Sequence, residues 1–307
     1  MTWLSVTIVA YALLGFTHVV NRYLLAGPLP DPKVYVFYVS FLSMLVFLFT
    51  PVLGLTVLPL FPMAAALLSG FVFMVGLFVV YAGLHRFEAS RFVPAIGGLT
   101  PIFTLLGSFI AFSGNGIEST HWLAFLLLIA GSVFITVERE KKITLPSLKF
   151  ALAAALLLSS SFVLAKYVYL VASFWSPFVW MKAGGFIFAL CLFVFSRELR
   201  LAIFGKSSRN TAKKSKKTIF IFLGNQVLGA AGNIFQNVAF FLVPVLYVSF
   251  VNALEGIIYV FVLVFSALGS VFFPHLIRET FTKGAAFQKV AATALILTGI
   301  LILFLGN

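Results

Sequence analysis

The sequence predicts an all-α membrane protein: ten transmembrane helices in two inverted five-helix repeats. Three observations carry this. The 307 residues are 62% hydrophobic and 9% charged, with a mean hydropathy of +1.13. A soluble domain holds roughly a quarter charged residues and must clothe its exterior. Near-continuous apolar runs of about 20 residues, the length a helix needs to cross a bilayer, recur along the chain. Finally, 21 Lys+Arg stand against 8 Asp+Glu, a net charge of +13, and the basic residues are unevenly shared among the connections.

The spans are expected at 3–21, 33–53, 62–84, 91–112, 121–137, 149–170, 175–195, 218–240, 245–272 and 287–305. Span 1 is read as a retained helix, because Met1-Thr2-Trp3 lacks a basic residue and the run ends in Asn21-Arg22 rather than a small-residue cleavage site. Turns with Pro or Gly separate many of the others: Gly27-Pro28-Leu29-Pro30, Pro59, Gly114-Asn115-Gly116, Pro244 and Pro274. Unbroken apolar runs disfavour a β-barrel, whose strands alternate. Two hydrophilic loops interrupt the pattern, 138–146 and 197–217, the second being the candidate for local disorder. The single cysteine, Cys191, excludes an internal disulfide.

Loops 1, 3, 5, 7 and 9 hold or border 19 of the 21 basic residues, while loops 2, 4 and 8 and both tails hold none. Basic residues accumulate on the cytoplasmic side, so the odd-numbered loops are expected in the cytoplasm and both termini outside a cell membrane. Internal matches follow. Val19-Val20-Asn21-Arg22-Tyr23 resembles Val163-Leu164-Ala165-Lys166-Tyr167, and Pro32 corresponds to Pro177. Phe92-Val93 with Gly98-Leu99-Thr100-Pro101-Ile102-Phe103 resembles Tyr247-Val248 with Ala253-Leu254-Glu255-Gly256-Ile257-Ile258. These divide the chain into repeats at 1–137 and 149–307. Five spans is an odd number, so the second repeat enters the membrane inverted, as in many secondary transporters.

Phe87-Glu88-Ala89-Ser90-Arg91-Phe92-Val93-Pro94, followed by Leu99-Thr100-Pro101-Ile102-Phe103-Thr104, carries a family resemblance. It is similar to the junction of the third and fourth helices in the drug/metabolite transporter superfamily, in proteins with two EamA-like domains. Val248-Ser249 and Ala253-Leu254-Glu255-Gly256 echo it in the second half. The resemblance implies the ten-helix fold and transport of a small metabolite. Two features depart from the family pattern. Ser113-Gly114-Asn115-Gly116 stands where a Gly-Glu pair is usual, with Glu118 displaced, and the charges place both termini outside, where cytoplasmic termini are common.

Within the spans, Glu255 is the one acid; the other seven lie at span ends or in loops. An ionisable residue at membrane depth is a functional candidate by default. Ser249, Asn252, Glu255, Gly256 and Tyr259 fall in an arc of roughly 120° at 100° per residue. Lys182 lies at similar depth in span 7, where it either pairs with Glu255 or snorkels; for Lys166 and Arg22, nearer helix ends, snorkelling is expected. Span 8 gathers Asn225, Gln226, Gly229, Gly232, Asn233, Gln236 and Asn237 in roughly 140°, against a wholly apolar opposite face. This is read as a cavity wall; the alternative is helix–helix hydrogen bonding. Pro94, Gly97, Gly98, Pro101, Thr104 and Ser108 share one side of span 4, either as a hinge or as close packing. Thr100, which aligns with Glu255, and His18 complete the candidate substrate-binding set. Trp3, Trp122 and Trp175 stand where interface anchors belong.

No Walker loop, His/Cys metal cluster or Ser-His-Asp set is present in the sequence, so neither enzyme activity nor a cofactor is expected. The basic stretch 206–217 is assigned to orientation and anionic lipid rather than nucleic acid. The expected partners are the bilayer and a small-molecule substrate, moved by alternating access and possibly exported with proton coupling through Glu255. The competing reading is a non-transporting scaffold or lipid-handling subunit.

Overall fold

The computed structural model describes residues 2–26, 32–87, 89–112, 117, 119–136, 144–204, 216–272 and 283–305. Outside this set lie the predicted turns 27–30 and 114–116, Pro274, loop 138–143, the basic stretch 205–215, and the acids Asp31, Glu88, Glu118, Glu138, Glu140 and Glu279. The side chains of Asn21 and Arg22 are also outside it.

The described residues form helices only: α1 (Thr2–Ala26), α2 (Pro32–Ser43), a 3-10 turn (Met44–Phe49) running into α3 (Thr50–Leu53), α4 (Leu60–Arg86), α5 (Ala89–Ala111), α6 (Ser119–Thr136), α7 (Leu145–Val171), α8 (Trp175–Phe195), α9 (Arg197–Phe204), α10 (Lys216–Leu242), a 3-10 turn (Val245–Tyr247) with α11 (Val248–Ala253), α12 (Gly256–Phe272) and α13 (Lys283–Leu305). Among the described residues, eight segments are long and apolar enough to cross a membrane, and His121–Thr136 is a shorter apolar helix. Val52, Ile110 and Phe195 are each more than 80% exposed. A surface of that kind is stable only against hydrocarbon, so the chain is an all-α membrane protein.

Several elements differ from the sequence reading. Span 2 is not one α-helix but changes to 3-10 geometry at Met44–Phe49 before α3 resumes. Helix α7 starts at Leu145, four residues before the expected 149, with Pro146 in its first turn. A proline there lacks an N–H that would have had no partner in any case. The start of the loop expected to be disordered is helix α9, where Lys33 pairs with Glu198 and holds its carboxyl below the usual carboxylate range. Trp3 is no interface anchor: it is 7% exposed and sits in the main core, whereas Trp122 is exposed.

Span 9 is broken. Glu255 N–H donates to Asn252 O (3.0 Å), Ile257 N–H to Leu254 O and Ile258 N–H to Glu255 O (both 2.9 Å). These three-residue bonds tighten the backbone between α11 and α12. Both sides of the step are held by neighbours. Asn252 Nδ2 donates to Thr104 Oγ1 of α5 at 2.9 Å, and a Cβ at Gly256 would lie 2.9 Å from Ser132 Cα of α6.

Among the described glycines, those most tightly packed on another helix's backbone lie between α4 and α8. A Cβ at Gly70 would fall 1.7 Å from Met181 O, and one at Gly184 would fall 1.9 Å from Leu67 O. Two glycines therefore let the backbones touch, the usual device where apolar lipid supplies no hydrophobic drive between helices.

Candidate functional site: a polar cavity between α4, α7, α8 and α10

Where α4, α7, α8 and α10 meet lies a partly open cavity of about 40 Å³. Its polar lining comes from Ser69 of α4, Ser161 of α7, Lys182 of α8, and Asn233, Gln236 and Asn237 of α10; Phe73, Met74, Phe162, Met181 and Phe240 are among its apolar walls. The helical spacing of span 8 explains the geometry. Positions 233, 236 and 237 share one face, while Val227 and Phe235 on the other are exposed.

The Lys182 ammonium donates to Asn233 Oδ1 and stands 4.8 Å from the centre of the Phe178 ring, a cation–π distance. Asn237 Nδ2 donates to Asn233 O at 2.8 Å and to its Oδ1 at 3.3 Å, and Tyr169 donates its hydroxyl to Asn237 Oδ1 at 3.0 Å. Ser69 and Ser161 clasp α4 to α7, each hydroxyl donating to the other's carbonyl oxygen at 2.9 Å. Lys182 thus neither snorkels nor pairs with Glu255; its partner is an amide oxygen across the cavity.

Glu255 stands outside the cavity lining, at the α11–α12 step, within electrostatic reach of Tyr11 and Tyr259. Tyr11 donates to Val251 O at 2.6 Å, and the side chain of Gln236 lies beside its hydroxyl. Gln236 therefore connects the cavity wall to the neighbourhood of the acid. Asn252 and Thr100 lie in the α5–α11 contact, both 1% exposed, and the Gln226 side chain lies beside the Tyr35 hydroxyl. His18 is exposed on α1. On span 4, Pro94, Gly98, Pro101, Thr104 and Ser108 are buried, and a Cβ at Gly98 would fall 2.8 Å from Val133 Cγ2: this face is close packing.

Lys166 was expected to snorkel. Instead it is 3% exposed and donates to Phe240 O and Phe241 O (3.1 Å each) and Val243 O (2.6 Å). Those are carbonyls at the end of α10 that no further helical turn satisfies. The same end of the bundle is tied by Thr56 N–H to Ser176 Oγ at 3.0 Å and by Tyr247 with His121 at 2.8 Å. At the opposite end Tyr35 and Tyr81 meet edge-on, ring centres 5.2 Å apart. Sequence reasoning did not single out Ser69, Ser161, Tyr11 or Tyr169. A hydroxyl at membrane depth was the available signal, but it names no partner.

No family model matches the chain, and no curated protein matches it. A solved structure described as "Crystal structure of protein" superposes with a TM-score of 0.67 at 16% identity, covering 99% of each chain. That likeness shows a shared fold from end to end.

Proposed function

We propose that the chain is a secondary transporter of the drug/metabolite type, with ten spans in two inverted EamA-like halves, moving a small polar metabolite by alternating access. The observation that carries it is the cavity itself. A lysine and three carboxamides line one internal space; such groups are costly at membrane depth and mark substrate or ion pathways.

The helix contacts support the inverted halves. If each of the first five spans maps onto the span five further on, α1 against α10 is the counterpart of α7 against α4, and both contacts are extensive. Likewise α5 against α7 answers α12 against α1, and α6–α13, α2–α8 and α5–α11 map onto themselves. The largest contact without an equal is α4 along α8: α2 and α10 have no comparable contact among the described residues, and α5–α6, α6–α12 and α2–α4 also exceed their counterparts. Alternating access rests on such an imbalance, one repeat closed where its inverted twin is open. The charge distribution puts the end tied by Lys166 outside and the odd-numbered loops in the cytoplasm.

Metabolite profiling of cells with and without the protein, followed by flux of the changed metabolite into proteoliposomes, tests the function. A changed metabolite with protein-dependent flux is the expected result; an unchanged profile would favour a scaffold or lipid-handling role. A tag after Asn307 labelled by an impermeant reagent in intact cells is expected from the topology, and labelling only after permeabilisation would reverse it.

A further inference from the structure

We propose that Lys182 and Asn233 form the binding point for an oxyanion group, a carboxylate or a phosphate ester, on a small-molecule substrate. This deepens the transport reading; flux depends on that reading, but binding does not.

The asparagine oxygens of the lining already receive donors, whereas its one cation keeps unused N–H groups; the Gln236 side-chain oxygen is the acceptor left open. Asn233 Oδ1 already accepts from Lys182 and from Asn237, and Asn237 Oδ1 accepts from Tyr169. The Ser69 and Ser161 hydroxyls are spent on each other's carbonyls. An ammonium has three N–H donors, and Lys182 uses one on Asn233. The Asn233 amide nitrogen has no partner among the described residues. The ammonium likewise has no carboxylate partner there, and Glu255 stands beyond Gln236 and Tyr11. A cationic ligand would meet repulsion, and a neutral one would leave the charge uncompensated. An oxyanion supplies both the missing charge and the missing acceptors, through the strongest class of hydrogen bond. About 40 Å³ holds roughly three waters at ~10–15 Å³ each, enough for a carboxylate, whereas a larger phosphate group needs a wider cavity. The remainder of the ligand then requires the open state.

The test is thermal unfolding of the purified full chain in phosphatidylcholine nanodiscs, titrated with lactate, succinate, glycerol 3-phosphate, inorganic phosphate, glycerol and choline. At least one oxyanion should raise the midpoint saturably, and glycerol and choline should not. The carboxylate and phosphate arms tell the two headgroups apart. A parallel series with phosphatidylglycerol added shows whether a lipid phosphate competes for the site. Lys182→Met should weaken the apparent affinity about 10- to 100-fold, while Lys149→Met, on the exposed start of α7, should leave it unchanged. If Lys182→Met fails to fold, Lys182→Arg should retain binding and Asn233→Ala should weaken it. No shift with any oxyanion, an equal shift with choline, or unaltered affinity in the Lys182 and Asn233 variants would overturn the proposal. Counterflow of the stabilising anion in proteoliposomes separates the two readings. Lys182-dependent binding without flux keeps the site and removes the transporter. Flux of another solute, indifferent to Lys182→Met, keeps the transporter and removes the site.

Discussion

The Lys166 ammonium lies 2.6 Å from the carbonyl oxygen of Val243, 77 residues further along the chain. With Phe240 and Phe241 it completes a three-carbonyl cap on α10. A buried carbonyl without a donor is penalised most where no water reaches it. Lys166→Met should therefore lower stability by about 1–3 kcal/mol, read as a reduced unfolding midpoint in detergent. An unchanged midpoint would return Lys166 to a snorkelling role.

The α4–α8 contact makes a second prediction. Gly70→Ala places a methyl against the Met181 backbone, which cannot swing aside as a side chain does. A loss of about 1–3 kcal/mol is expected, the usual range for overpacking. Gly224→Ala is the internal control, since nothing lies within 4 Å of its added Cβ; it should be neutral or stabilising by up to about 1 kcal/mol. Equal effects at the two positions would mean that the helices separate readily here.

These two sites mark the limit of what the sequence makes legible. Span positions follow from apolar run length, and the Asn233–Gln236–Asn237 face follows from helical periodicity, because both are local properties. Lys166 and Ser69 depend on partners 77 and 92 residues away, which no local pattern specifies. The step at Glu255 was hidden for a different reason. No proline marks it; Asn252 and Gly256 are held by α5 and α6, so the break is a tertiary effect. Lys182 and Glu255 share a depth, but depth alone does not say that Asn233 stands nearer to the lysine.

Cysteine accessibility tests the cavity face of α10. In a Cys191→Ala background, cysteines at Asn233 and Gln236 should react with a small hydrophilic thiol reagent as the protein opens. Cysteines at Val227 and Phe235, exposed on the other face, should stay protected, because a thiol in hydrocarbon rarely ionises. Uniform protection at all four would favour helix–helix hydrogen bonding as the purpose of the carboxamides.

Glu255 supplies the prediction with most at stake. It is the one acid within the predicted spans, it sits at the α11–α12 step, and Tyr11 and Tyr259 lie near it. Tyr11 in turn lies beside Gln236 of the cavity wall. A proton gained or lost at Glu255 is thereby positioned to alter both the backbone step and the cavity lining. Broken helices at mid-membrane are the elements on which coupling ions act in inverted-repeat transporters. Glu255→Gln preserves shape and removes the charge, and an amide is cheaper than a carboxylate at this depth, so folding and insertion should persist. Flux of the identified substrate should fall sharply or lose its dependence on the proton gradient, while oxyanion binding at Lys182 should change little, since Glu255 does not line that site. Normal gradient-driven flux at every pH tested would make the acid structural. Loss of oxyanion binding together with flux would show instead that the α11–α12 step and the Lys182 site act as one unit.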